Sequence, residues 1–238
     1  MRYAAALASL AILAGCSAGP GRPGDAGRGR DLRPVAHPSE VIAAELAFAR
    51  MAREKGTWTA FREFSTDDAL MASPRLVKAH EALKGQDDPA EPIVWGPDHV
   101  WSSCDGSFAV STGGARYPDG HRARFVTVWQ RQRKGDYRWV LDQGLPDDTA
   151  DVSPDMIAGD VAECPAGPPP RRLDYRRGEN WAVNVSNDGT LAWDTRVAAD
   201  CSRTIVIRTR QGDGMKEVFR RTAPAPQVPA GQAAPDCG

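Results

Sequence analysis

The chain has 238 residues, with 30 Lys and Arg against 31 Asp and Glu and a formal net charge of −1. So even a balance excludes the global basic field that nucleic-acid binding draws on, and no nucleic-acid partner is expected. Its length suits one ordinary domain plus a smaller one, once the signal and the flexible ends are set aside.

At the N-terminus Met1-Arg2 precede an unbroken apolar run from Ala4 to Ala14. The run is shorter than the ~20 residues that span a bilayer core. It has the length of an export-signal core, and such segments are left out of fold reasoning. It ends in Leu13-Ala14-Gly15-Cys16, which resembles the bacterial lipobox. That resemblance implies cleavage after residue 15 and a lipid on Cys16, with Ser17 directing the product to the outer membrane. Acyl chains contribute ~0.8 kcal/mol per buried CH₂, so a multiply acylated cysteine anchors stably without a protein span. The expected partner is the membrane, and the expected location is the cell envelope, facing the periplasm. Residues 16–38 read as a tether, because Gly19-Pro20-Gly21-Arg22-Pro23-Gly24 lacks the large apolar side chains that offset ordering entropy.

Residues 39–146 form the first expected unit. Ser39 is placed to cap a helix, with Val41, Ile42, Leu46, Ala49, Met51 and Ala52 as its apolar stripe and Gly56 as its stop. Residues 58–64 read as a second short helix. Asp67 or Asp68 is placed to cap a turn through Leu70-Met71, and Pro74 to start a helix that runs through His80 to Gly85. From residue 93 the pattern becomes strands: 93–95 and 100–103 flanking a Gly96-Pro97-Asp98 break, then 108–112 and 122–133. Lys134-Gly135 signals a hairpin back through 137–143. Helices followed by antiparallel strands make this an α+β domain.

Glu45-Leu46-Ala47-Phe48-Ala49-Arg50, Lys55-Gly56-Thr57, Ala60-Phe61, Trp129-Gln130-Arg131-Gln132 and Trp139-Val140-Leu141-Asp142-Gln143-Gly144 resemble the nuclear transport factor 2-like superfamily, in its bacterial SnoaL-like and DUF-type branch. The resemblance implies a cone-shaped, cystatin-like curved antiparallel sheet packed on N-terminal helices, with an inner pocket. Such proteins include isomerases and lyases as well as ligand binders, so the fold alone does not select a function.

Residues 147–222 read as a small β-rich unit. Ser153-Pro154 is placed to start a short helix, and Gly167-Pro168-Pro169-Pro170 forms a stiff connector. Runs at 181–186, 191–197, 204–210 and 215–221 then form a β-meander with Trp181, Val183, Val185, Trp193, Ile205, Ile207 and Phe219 as its core. Arg203, Arg208, Arg210, Arg220 and Arg221 are expected on the solvated face. Residues 223–238 read as a disordered tail.

Of the five cysteines, Cys16 is assigned to lipid. Cys104, Cys164, Cys201 and Cys237 are an even set in an exported chain, so two disulfides are expected, with three connectivities open. No Cys-x-x-Cys pair is present, and no metal or other cofactor is expected.

No nucleophile elbow, phosphate loop or zinc-protease motif is present. Asp142 is the foremost chemical candidate. A two-residue turn at Lys134-Gly135 would set Trp129 opposite Val140 and Thr127 opposite Asp142, gathering Phe125, Thr127, Trp129, Val140 and Asp142 on one sheet face. A carboxylate on an aromatic face is desolvated and raised toward neutrality, as a general acid or base requires. The commoner role of such a strand-end aspartate is to bond its local backbone. His80 is the second candidate, at the edge of a helical stripe, and His99 lies in the loop after Pro97. Trp58, Phe61, Trp95, Phe125, Trp129 and Asp142 are the expected pocket lining. Three functions remain open: a non-catalytic site for a small apolar ligand or a partner, an isomerase or lyase using Asp142 in a pocket of several hundred Å³, and an assembly protein docking other envelope proteins through the C-terminal unit.

Overall fold

The computed structural model describes residues 36–72, 74–166, 175–228, 231, 233, 235 and 237. The export signal, Cys16, most of the tether and the 167–170 connector lie outside them. Residues 34–238 form one compact unit, within which two sheets are stacked.

The first helix, α1, runs Pro38–Lys55, with Pro38 in its first turn, Glu40 beside the N-terminus and Arg53 and Lys55 in the last turn. His37, not Ser39, precedes it, because Pro38 at the first helical position needs no N–H partner. Val41, Glu45, Phe48, Ala49 and Ala52 form its buried face, at helical spacing, while Leu46 is 43% exposed. Gly56, at φ 111°, turns the chain directly into α2, Thr57–Phe64. Asp88 accepts from the Thr59 amide at 3.0 Å and from its hydroxyl at 2.6 Å, so a loop carboxylate caps α2 where no adjacent side chain does.

Residues 65–72 and 76–78 depart from the helical expectation, which holds only at 79–82. The segment forms strand β1 (Ser65–Ala72), β2 (Leu76–Lys78) and only then the one-turn helix α3 (Ala79–Ala82). The reason is tertiary: β1 lies parallel to β6 (Tyr137–Pro146) and buries Ala69, Leu70 and Ala72 there, which overrides the capping signals of Asp67 and Asp68. Strand β3 (Val94–Ser102) runs through the expected Gly96-Pro97-Asp98 break. A bulge between Pro97 and His99 absorbs the proline, and Gly113 faces that point, where a Cβ would meet the backbone of Gly96 and Pro97. β4 (Phe108–Arg116) and β5 (Arg122–Arg131) follow. No helix forms at 153–157. The Ser153 amide bonds Asp151 Oδ1 at 3.0 Å in a local turn, and β7 (Ala158–Val161) then pairs parallel with β3. The curved seven-stranded sheet has the order β2-β1-β6-β5-β4-β3-β7.

The second sheet is β8 (Arg176–Arg177), β9 (Trp181–Val185), β10 (Leu191–Val197), β11 (Arg203–Gln211) and β12 (Gly214–Ala223), each antiparallel to the next. Leu191, Trp193, Ile205 and Ile207 pack against Trp101, Phe108, Val110, Val126, Val128, Leu141 and Leu145 of the first sheet. The first sheet is thereby buried on both faces, with the helices on its other side. Trp181, Val183 and Val185 are not core. Register places Asn184 opposite Trp193, so the alternation turns Ala182 and Asn184 inward and Trp181 outward, 37% exposed. Arg203 is not on the solvated face either, since it shares the inward face with Ile205 and Ile207. Its guanidinium reaches the carbonyls of Ala72 at 3.2 Å and Gly144 at 2.9 Å.

Disulfides join Cys104 to Cys164 and Cys201 to Cys237. The first ties the β3–β4 turn to the segment after β7. The second ties the β10–β11 turn to the C-terminal residues, so the expected disordered tail is fastened at Cys237, which is fully buried.

Candidate functional site

On the concave side of the first sheet, Phe48 is the hub of an aromatic cluster. Its ring centroid lies 4.9 Å from Phe61, 4.8 Å from Trp95 and 6.1 Å from Trp129 in edge-to-face contacts. The packing leaves a cavity of about 30 Å³, lined by Phe48, Phe61, Ile93, Trp95, Ala115, Tyr117, Phe125, Asp142 and Gly144. The volume falls well short of the several hundred Å³ expected, because the rings fill most of the hollow. It exceeds the ~10–15 Å³ that a single water requires. Tyr117 and Gly144 are half-buried, and the other lining residues are buried.

Of the expected lining, Phe61, Trp95, Phe125 and Asp142 border the cavity. Trp58 packs edge-on against Phe61 outside it. Trp129 is fully buried beneath it. The β5–β6 register sets Thr127 opposite Asp142 as expected, but not through a two-residue turn: the loop spans 133–135, which brings Trp139 and not Val140 opposite Trp129, and a bulge between Val128 and Trp129 then restores the expected register. Val140 therefore turns to the second sheet, while both tryptophans remain in the helix-side core.

Asp142 is 9% exposed. Thr127 Oγ1 donates to its Oδ2 at 2.7 Å, and its Oδ1 has no hydrogen-bond partner among the described residues. Burial raises its pKa to about 7; the Thr127 bond opposes that and the negative charge of Glu45 adds to it. Tyr117 is the other titratable lining residue. Burial first, then the nearby Asp142 charge, push its hydroxyl up to about 12, against the opposing effect of Arg203. It stays protonated at neutral pH and can donate a hydrogen bond.

Glu45 is the residue that sequence reasoning passed over as chemistry. It sits fully buried in the middle of the α1 stripe, four residues after Val41 and three before Phe48. Trp95 Nε1 donates to Oε1 at 2.7 Å, Ser111 Oγ to Oε2 at 2.5 Å and Trp129 Nε1 to Oε2 at 3.1 Å. Burial raises its pKa, and the bonds from Ser111, Trp95 and Trp129 oppose the rise. The available signal was a glutamate at an apolar-stripe position above a sheet with indole donors, since a buried charge needs such partners.

The histidines stand apart from the cavity. His80, on α3, places Nε2 2.9 Å from Ser65 Oγ. His99 lies within β3 and not in a loop; it bonds Asp160 at 2.8 Å and stacks on Trp101. His121, in the turn after β4, stacks on the Tyr117 ring at 4.0 Å from outside.

No family model matches the chain, and no curated protein matches it in sequence. Among solved structures the chain is similar to a candidate ketosteroid isomerase from Parabacteroides distasonis, at 15% identity and TM-score 0.36, over 49% of this chain and 98% of that one. It is also similar to a nuclear transport factor 2-like protein of unknown function from Pseudomonas putida, at 13% identity and TM-score 0.33, over 50% of this chain and 94% of that one.

Proposed function

We propose that the chain is a lipid-anchored protein of the bacterial envelope, with a cone-shaped, nuclear transport factor 2-like unit. That unit binds a small apolar molecule through one polar head. The anchor reading is supported by the apolar run ending in Leu13-Ala14-Gly15-Cys16. The binding reading is carried by one observation: Asp142, whose Oδ1 has no hydrogen-bond partner among the described residues, lines a cavity whose other walls are aromatic and aliphatic apart from the Tyr117 hydroxyl and the Gly144 backbone. A few convergent polar atoms in an apolar recess fix the orientation of a ligand. The volume of about 30 Å³ accommodates a head group, with the apolar body lying out past Tyr117 and Gly144.

The test is a titration of the purified protein with acetone, followed by backbone amide resonances. Saturable shifts at Phe61, Phe125 and Asp142, lost in Phe125→Trp where the recess is filled, are the expected result. Unsaturable shifts spread over the surface would overturn the reading.

A second reading, proton transfer on the bound molecule, is favoured by the pairing of Asp142 with Tyr117. A carboxyl near neutrality can exchange a proton with a carbon beside a carbonyl, while the phenol donates to the carbonyl oxygen. Deuterium incorporation at the ligand's carbon from heavy water, abolished in Asp142→Asn, is its signature.

A further inference from the structure

The second sheet turns one face to the first sheet and the other outward, and its register arranges the outward side chains in rows. Trp181 of β9 stands opposite Arg196 of β10. In the next row Arg176 of β8, Val183 of β9, Asp194 of β10, Val206 of β11 and Arg220 of β12 follow one another across the sheet. Arg208 and Glu217 face each other in the row beyond. The two carboxylates of these rows are already engaged: Asp194 accepts from Arg208 at 2.5 Å and Glu217 from Arg220 at 2.6 Å. Arg176 and Arg196 are exposed and have no ion-pair partner among the described residues. The face therefore carries a surplus of positive charge, and it stands beside Trp181.

A groove of about 400 Å³ lies there, bordered by Arg176, Trp181, Val183, Asp194 and Arg196. That volume is in the range of small-molecule sites, ~300–1,000 Å³. The indole is fixed from behind. Its pyrrole part covers the place where a Cβ of Gly178 would stand, 2.3 Å from Nε1, so only glycine leaves room for the ring against its own turn. The turn is held by the Gly178 amide on the Trp181 carbonyl at 2.9 Å and the Val197 amide on the Asn180 carbonyl at 2.8 Å. Asn180 Nδ2 donates to the carbonyl of Cys237 at 2.6 Å, and Cys237 is joined to Cys201. Yet Trp181 remains 37% exposed, so it offers solvent an apolar surface that needs no ordering before it is used.

We infer that this groove binds a saccharide unit bearing a carboxylate, with the sugar ring stacked on Trp181 and the carboxylate held by Arg176 and Arg196. The C–H face of a pyranose is apolar and matches a fixed indole surface. A guanidinium fork matches a carboxylate in two parallel hydrogen bonds. Asp194 Oδ2 has no hydrogen-bond partner among the described residues and accepts from a sugar hydroxyl. Strands lie ~4.8 Å apart, so β8 and β10 stand roughly 10 Å apart, a width that one ring with its substituents covers. A neutral sugar would leave both free arginines unused. Trp181 folds back on its own turn instead of projecting, unlike a tryptophan that anchors a protein at a lipid surface. This site lies on the second sheet and is independent of the concave cavity and of the binding proposed there.

The probes are N-acetylmuramic acid and N-acetylglucosamine, which share an N-acetylated pyranose and differ in a lactyl carboxylate. Each is titrated into the purified protein at neutral pH and followed by backbone amide resonances. The acid should give saturable shifts at Ala182, Val183 and Thr195, with an affinity about tenfold above that of the neutral sugar, since two exposed charge contacts contribute a few-fold each. Added salt should narrow the difference. Arg176→Gln with Arg196→Gln should bring the acid down to the neutral sugar's affinity, and both residues are exposed, so the fold is kept. Trp181→Ala should abolish saturable binding of both sugars; if that variant does not fold, the arginine pair carries the test. Equal affinities in the wild type, or an acid affinity unmoved by the arginine replacements, overturn the ligand class. Saturable shifts confined to residues outside β9 and β10 overturn the site. The same protein carrying Cys16→Ser is also sedimented with phosphatidylglycerol vesicles. Vesicle binding that is lost with the two arginines, while neither sugar binds, overturns the saccharide in favour of an anionic membrane surface.

Discussion

Replacing Asp142 by asparagine isolates the energetic consequence of burying its carboxyl. Burial moves the group from its ordinary 3.8 to about 7, against the Thr127 bond and with the help of the Glu45 charge. In the unfolded chain it titrates at the ordinary value. Between about pH 4 and pH 7 the folded state therefore holds a proton that the unfolded state has released. The sign follows: stability falls as pH rises through this window, and the loss is complete above about pH 7. At ~1.4 kcal/mol for each pH unit, a separation of roughly three units corresponds to a loss of about 4 kcal/mol. The side chain of Asp142→Asn keeps an acceptor for Thr127 and carries no charge, so its contribution is flat across the window. Urea unfolding of both proteins at about pH 4.5, 6 and 8 measures this, with the difference between them isolating Asp142 from every other titrating group. The variant should gain on the wild type from one end to the other, by several kcal/mol at most. Parallel stability curves would refute the burial of an ionisable carboxyl at this position.

Three further outcomes are expected. Cys104→Ser with Cys164→Ser opens a loop of 60 residues and should lower stability by about 4 kcal/mol in the chain-entropy estimate, read by urea unfolding under oxidising conditions. Arg203→Met keeps the apolar stem and removes two bonds to carbonyls, and should cost about 1–3 kcal/mol, with faster amide exchange at the ends of β1 and β6. Cys16→Ser should abolish metabolic labelling by radioactive palmitate and release the protein from the membrane fraction; retained label would refute lipidation at that residue.

Local chemistry and tertiary pairing agree at some residues of this fold and part at others. Lys134-Gly135 correctly marked a hairpin, but the loop spans 133–135 and is one residue longer than the expected two-residue turn, so the pairs beside it, from Arg131 with Tyr137 to Trp129 with Trp139, are one residue out of the expected register. A bulge between Val128 and Trp129, which turn counting does not see, restores that register, and for this reason Thr127 still faces Asp142. A turn through Leu70-Met71 and a helix from Pro74 were expected because Asp67, Asp68 and Pro74 are real local signals, yet β6, which holds β1 as a strand, lies far along the chain, and β2 pairs on β1 in turn. In β9 the aromatic and β-branched residues Trp181, Val183 and Val185 looked like a core face, but only the pairing with β10 decides which face turns inward.

The amino-acid order alone determined the strand-rich second half, the hairpin carrying Asp142 and the even set of exported cysteines, since each depends on short-range periodicity or counting. Tertiary structure alone decided the cysteine pairing, the covering of the first sheet by the second and the meeting of Glu45 with Trp95, Ser111 and Trp129. Those partners are separated by up to 84 residues, and a hydrogen bond forms between atoms that folding brings within about 3 Å, wherever they stand along the chain.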